Sequence, residues 1–92
     1  MELAKPTINN TTITSANTEY SYTFPAGTRA FRIKLEALNA LLKVAFVSGE
    51  SGTNYITIPY GDYMEMHAKV GGATIYFQSP SASQKAQIET WK

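Results

Sequence analysis

Between Arg29 and Glu36 the chain alternates without a fault: Phe31, Ile33 and Leu35 share one parity, Arg32, Lys34 and Glu36 the other. Successive side chains of a strand point to opposite faces, so this pattern predicts a strand with one face buried and one solvated. The same period of two recurs elsewhere. Tyr20, Tyr22 and Phe24 alternate with Glu19, Ser21 and Thr23, while Met64, Met66, Ala68 and Val70 alternate with Tyr63, Glu65, His67 and Lys69. Near the C-terminus, Ala86, Ile88 and Thr90 alternate with Gln87, Glu89 and Trp91. Shorter apolar runs at Leu42–Val47, Tyr55–Ile58 and Thr74–Gln78 read as further strands, with Val44 and Phe46 on one side and Thr74–Gln78 central. Thr7–Thr14 is rich in Thr and Ile, and its two isoleucines, Ile8 and Ile13, fall on opposite parities, which predicts a bulge or short turn near Asn9-Asn10.

Part of this pattern is stated twice. Thr23-Phe24-Pro25-Ala26-Gly27 and Thr57-Ile58-Pro59-Tyr60-Gly61 each close one strand and open another through a Pro-x-Gly turn. A repeat of roughly 31 to 34 residues in only two copies suggests two similar multi-strand units burying their apolar faces against each other. Leu35 to Leu42 contains good helix formers, with leucines on one helical face. A hairpin near Leu38-Asn39-Ala40 is the preferred reading, because the matching place in the second half is Val70-Gly71-Gly72-Ala73, a hairpin signal in which no helix forms. The expected architecture is an all-β domain over residues 7–92, an antiparallel β-sandwich of about eight strands, with a jelly roll as one form it can take. Residues 1–6 are expected to form an N-terminal arm, since Pro6 prevents a ladder from starting earlier.

Composition changes this picture mainly by exclusion. The chain has 92 residues, a net charge of +1 and 16% charged residues, too weak a field to gather nucleic acid or anionic membrane. It contains no cysteine, which removes disulfides and thiolate metal sites. Its N-terminal residues lack the apolar core of a signal peptide, and no stretch has the length of a membrane span. The two sequons at Asn9 and Asn10 are read as a polar strand.

Candidate chemistry is sparse. His67 is the single histidine and suits a strand surface better than a metal or catalytic role. Glu19, Glu36, Glu50, Asp62, Glu65 and Glu89 are scattered, and a hydrolase would need folding to bring two of them within about 10 Å. Ser48–Thr53 carries Gly49 and Gly52 but lacks the Gly-Lys-Ser/Thr ending of a phosphate loop, so it reads as an ordinary flexible connection. No enzyme, cofactor or metal is expected. Tyr20, Tyr22, Tyr55, Tyr60, Tyr63, Tyr76 and Trp91 suit core margins or a subunit contact, with stacking on sugar rings as the alternative.

Phe24-Pro25-Ala26-Gly27-Thr28-Arg29-Ala30-Phe31-Arg32-Ile33-Lys34-Leu35, Leu42-Lys43-Val44-Ala45-Phe46-Val47-Ser48-Gly49, Ile58-Pro59-Tyr60-Gly61 and Ala73-Thr74-Ile75-Tyr76-Phe77-Gln78-Ser79, followed by Gln87-Ile88-Glu89-Thr90-Trp91, together resemble small bacteriophage virion structural proteins. Those are compact β-sandwich subunits that decorate capsids or line tails and necks. The likeness spans roughly residues 20 to 92, is one of style, and carries no site residue with it. It implies a structural subunit of a phage particle, assembled in the host cytoplasm and residing in the virion. Capsid decoration on the major capsid protein, as a homo-oligomer, is the expected task; a tail or neck subunit and a carbohydrate-binding module are the alternatives. The expected contact residues are Leu3 and Lys5 in the arm, Arg29, Arg32 and Lys34 on one strand face, and Glu50 in the Ser48–Thr53 loop.

Overall fold

A computed structural model describes residues 5–92; Leu3 and most of the expected arm therefore lie outside the described residues. Eight strands follow one another: β1 (Thr7–Ile13), β2 (Tyr20–Thr23), β3 (Ala30–Leu35), β4 (Leu42–Ala45), β5 (Ile56–Ile58), β6 (Tyr63–His67), β7 (Thr74–Gln78) and β8 (Gln84–Trp91). They form two four-stranded antiparallel sheets, ordered β1-β8-β3-β6 and β2-β7-β4-β5. The domain is all-β, as the alternation predicts, and β7 is a central strand. Among the described residues no helix is long and apolar enough to cross a membrane.

One parity of each strand supplies the core. Ile13, Phe31, Ile33, Leu35, Ala86 and Ile88 from the first sheet join Leu42, Val44, Ile58, Ile75 and Phe77 from the second in a single buried cluster that also includes Phe24 and Ala40. Phe24 sits against Phe31 with ring centroids 4.6 Å apart, bridging the first Pro-x-Gly turn and the strand after it. Burial of such side chains at roughly 25 cal/mol per Å² is the dominant favourable term for a domain this small.

Several local expectations are corrected. β1 pairs with β8 from Thr7↔Thr90 to Ile13↔Gln84 without a slip, so no bulge interrupts it. Its two isoleucines differ in parity because Ile8 points outward, 62% exposed, while Ile13 is buried. The Leu38-Asn39-Ala40 and Gly71-Gly72 segments form neither helix nor hairpin: β3 and β4 lie in different sheets, as do β6 and β7. β4 ends at Ala45, and Phe46, expected on the same strand side as Val44, is 45% exposed while Val44 is buried.

The repeat is real, but it does not divide the molecule into two units. β2–β3–β4 and β5–β6–β7 each run from the second sheet to the first and back, so each sheet draws strands from both halves. The turn geometry matches as well. Thr28 N–H donates to Pro25 O (3.2 Å) and Asp62 N–H to Pro59 O (3.1 Å), with Gly27 and Gly61 at φ 82° and 73°. Positive φ at the third residue but not at the second makes each a type II turn, and glycine enters that third position without strain.

Candidate interaction surface

The outward face of β3 builds a ladder of charges. Register places Ile8, Glu89, Arg32 and Glu65 in one row across β1, β8, β3 and β6. Arg32 donates from Nη2 and Nε to Glu65 Oε1 at 2.8 and 3.0 Å and approaches Glu89 Oε1 with Nη1 at 3.9 Å. His67 Nε2 donates to Glu65 Oε2 (3.0 Å), and the Arg32 guanidinium lies 4.8 Å from the centre of the Tyr63 ring. The bond from His67, then that from Arg32, holds the Glu65 carboxyl below its ordinary range, while the bond to Glu65 raises Arg32. Lys34 occupies the next row between Gln87 and Tyr63, and beyond it Lys85 and Glu36 form a pair at 3.6 Å. The charges on this face are largely answered within the chain.

Two carboxylates, Glu65 and Glu89, thus share one guanidinium. They sit on an open sheet face with a cation between them, and Glu65 is shifted away from the raised pKa that a general acid needs. Among the described residues no group of three or more His, Asp or Glu side chains is placed to hold a metal ion.

Of the other sequence-predicted residues, Lys5 is exposed ahead of β1. Arg29 does not join Arg32 and Lys34. It precedes β3 on the opposite parity, ties its N–H to Trp91 O (2.7 Å), and shares a small cleft of about 280 Å³ with Lys69, Thr28, Gly27 and Gly71. Glu50 belongs to the longest connection, residues 46–55 between β4 and β5, where its carbonyl accepts the N–H groups of Thr53 (3.1 Å) and Asn54 (2.9 Å).

That connection is anchored, which the reading as an ordinary flexible loop missed. The Glu19 carboxylate accepts from Gly49 N–H (2.9 Å), Ser51 N–H (3.1 Å) and the Ser51 hydroxyl (2.6 Å). The Ser51 bond does most to lower the Glu19 pKa, followed, against an opposing desolvation effect, by the two backbone bonds. Ser51 is fully buried, and Gln78 Oε1 lies 3.0 Å from its hydroxyl. One hydroxyl carries one proton, so turning the Gln78 amide to donate from its NH2 satisfies both contacts. Of the two glycines that hinted at a phosphate cradle, Gly49, at φ 85°, does give its N–H to an anion, but that anion is the chain's own Glu19.

With its tip tied down, the loop displays apolar legs. Phe46 is 45% exposed, Val47 57%, Tyr55 37% and Ile56 50%. Ile56 faces Val44 across the β4·β5 ladder, so the four residues flank the loop where the chain leaves β4 and rejoins β5. Lys43 Nζ lies 4.8 Å from the Tyr55 ring centre, and no acidic group pairs with it among the described residues. Leu38 and Tyr60 form a smaller exposed pair at the opposite end, beside Gly61.

Sequence reasoning named the loop and missed its legs. The signal was present in Phe46-Val47 and Tyr55-Ile56, apolar pairs flanking a polar stretch, but they read as strand interior.

No family model, curated protein or solved structure matches this chain.

Proposed function

We propose that the chain is a structural subunit of a phage particle, a capsid decoration protein that docks on coat-protein neighbours through the apolar legs of the 46–55 loop. The observation that carries this is the exposed group Phe46, Val47, Tyr55 and Ile56, held in place by the Glu19–Ser51 anchor. Aromatic and aliphatic side chains form the energetic centre of protein interfaces, here with the Lys43 ammonium beside Tyr55, and a pre-ordered loop loses little entropy on docking. Repetition over a lattice multiplies a modest single contact. The resemblance to small virion proteins points the same way, and a tail or neck position would use the same surface.

We also propose a jelly-roll sandwich as the finer architecture. In its support, the ladders pair β1 with β8, β2 with β7, β3 with β6 and β4 with β5, as one long antiparallel hairpin folded across two sheets would. A core cluster drawn from both sheets supports their packing face to face.

The carbohydrate reading has less support. Stacking needs free ring faces in a row, whereas Tyr55 and Tyr63 already lie beside Lys43 and Arg32, and Tyr20 and Tyr22 pack on the core. The test is sedimentation of the protein with purified heads of the phage that encodes it. The wild-type chain should pellet with heads in a saturable ratio, and Ile56→Lys should stay in the supernatant. A wild-type chain that never pellets, or that binds a glycan array instead, overturns the proposal.

A further inference from the structure

Four strands end a sheet, and three of them are guarded. β5 is three residues long and runs into Pro59; β2 has four residues, and Glu19 at its start carries the loop anchor. β6 has five residues and bears Glu65 and His67. β1 differs. It runs for seven residues, Thr7-Ile8-Asn9-Asn10-Thr11-Thr12-Ile13, with no charge, no proline and no bulge. Among the described residues only one side of it is paired, to β8. In an antiparallel ladder alternate residues turn their N–H and C=O groups away from the paired neighbour, so β1 offers a row of donors and acceptors on its free side. Lysine, proline, bulges and short length are the usual guards of such an edge, and β1 has none of them within its seven residues, Lys5 and Pro6 standing just ahead of it.

We propose that β1 pairs antiparallel with β1 of a second copy of this chain, about a twofold axis at Asn10. The sequence is self-complementary in that register. Asn10 faces Asn10 of the partner subunit, Ile8 faces the partner's Thr12, Asn9 the partner's Thr11, and Thr7 the partner's Ile13. The sums of the paired positions are even, so every outward residue meets an outward one and every inward residue an inward one. No charges oppose each other, and a side-chain amide pair crosses the axis. Room exists on the inner side as well. An open polar cleft of about 490 Å³ is lined by Thr11, Glu19, Tyr20, Ser21, Ser48 and Tyr76, and in this register the partner's Asn9 arrives opposite Thr11 at its rim. A twofold contact of this kind uses the same patch on both copies and closes on itself.

The pairing goes beyond the docking reading and stands without it. It has a consequence for that reading nonetheless. β1 and β5 are edge strands of different sheets, so Tyr55 and Ile56 beside β5 are not part of the paired edge, while Ser48 of the same loop lines the cleft at that edge. One dimer then carries two docking surfaces.

Light scattering over a concentration series of roughly 1 µM to 1 mM tests the pairing, since one strand contact is small and its affinity modest. The wild-type chain should rise to twice its 10.1 kDa mass. Asn10 is exposed, so Asn10→Lys and Asn10→Asp should keep the wild-type circular dichroism and melting temperature. Each alone sets like charges face to face and should remain at the single-chain mass. Mixed in equal amounts, they should regain the double mass. A wild-type chain that stays single at every concentration overturns the proposal. So does a dimer that Asn10→Lys leaves intact, or a Lys/Asp mixture that fails to recombine. None of these results depends on whether heads are bound.

Discussion

Two exposed regions of this molecule differ in what a partner stands to gain from them. On the β1-β8-β3-β6 face, Arg32, Glu65, Glu89 and His67 answer one another, and Arg32 covers the Tyr63 ring. Docking there strips water from charges whose best contacts are already made, so the return is small. At the legs of the 46–55 loop, Phe46, Val47 and Ile56 face water, as does Tyr55 with only Lys43 beside its ring, and covering them is favourable at roughly 25 cal/mol per Å². Exposure alone does not mark an interface. What matters is whether the exposed groups are already satisfied.

The largest expected effect comes from placing a charge in the apolar region. Ile56→Lys should abolish sedimentation with heads while leaving the fold intact, because the side chain is half exposed on an edge strand. Phe46→Ala removes one ring and should weaken docking about tenfold, as expected for a central aromatic contact. If both variants bind normally, the two regions have been assigned the wrong way round.

Next in size are changes to the anchor that presents the legs. Ser51→Ala deletes a buried hydroxyl between Glu19 and Gln78 and should cost about 2 kcal/mol in urea unfolding, the penalty of leaving a buried amide short of a partner. Gly52→Val sets a branched carbon 3.3 Å from the Gln78 amide and should cost about 1 kcal/mol, since that amide end gives way.

Acid separates the two regions more finely. Glu19 and Glu65 both have folded pKa values below their ordinary 4.5. Each therefore adds stability that is fully present above that ordinary value and is lost as pH falls through the lowered folded value. For Glu19 the cause is hydrogen bonding to the loop; for Glu65 it is bonding reinforced by the charges of Arg32 and His67. Glu19→Gln should remove part of the acid-side loss at any ionic strength. The share due to Glu65 should shrink in high salt, as exposed ion pairs do. The smallest effect belongs to Arg32→Ala, which should barely move the melting temperature in salt and leave docking unchanged. A large docking defect there would return the charged ladder to the interface.

What the sequence disclosed follows from range. Alternation is written between neighbours, so the inward parity of Phe31, Ile33, Leu35, Ala86 and Ile88 was legible, as were the eight strands and the central place of β7. Strand partners were not legible. Six of the seven connections change sheets, and a Gly-Gly turn looks the same whether its strands pair or part. The matched Pro-x-Gly turns were visible too, but they suggested two units where the chain interleaves them. Arg32 was named for the face it occupies, whereas its neutralisation by Glu65, 33 positions away, is a product of folding. Glu19 was named only as one of the scattered acids, and its anchoring role escaped notice for the same reason, since Ser51 is 32 residues downstream. Phe46 misled because it continues the parity of Leu42 and Val44 just past the point where β4 stops.

The central claim is that the loop legs, and not the charged ladder, meet the partner. Hydroxyl-radical footprinting of the protein, free and bound to heads, reads both regions in one experiment. Phe46 and Tyr55 should lose most of their labelling on binding while Tyr63 and His67 keep theirs. Shielding of Tyr63 and His67 with Phe46 and Tyr55 still labelled would contradict the account.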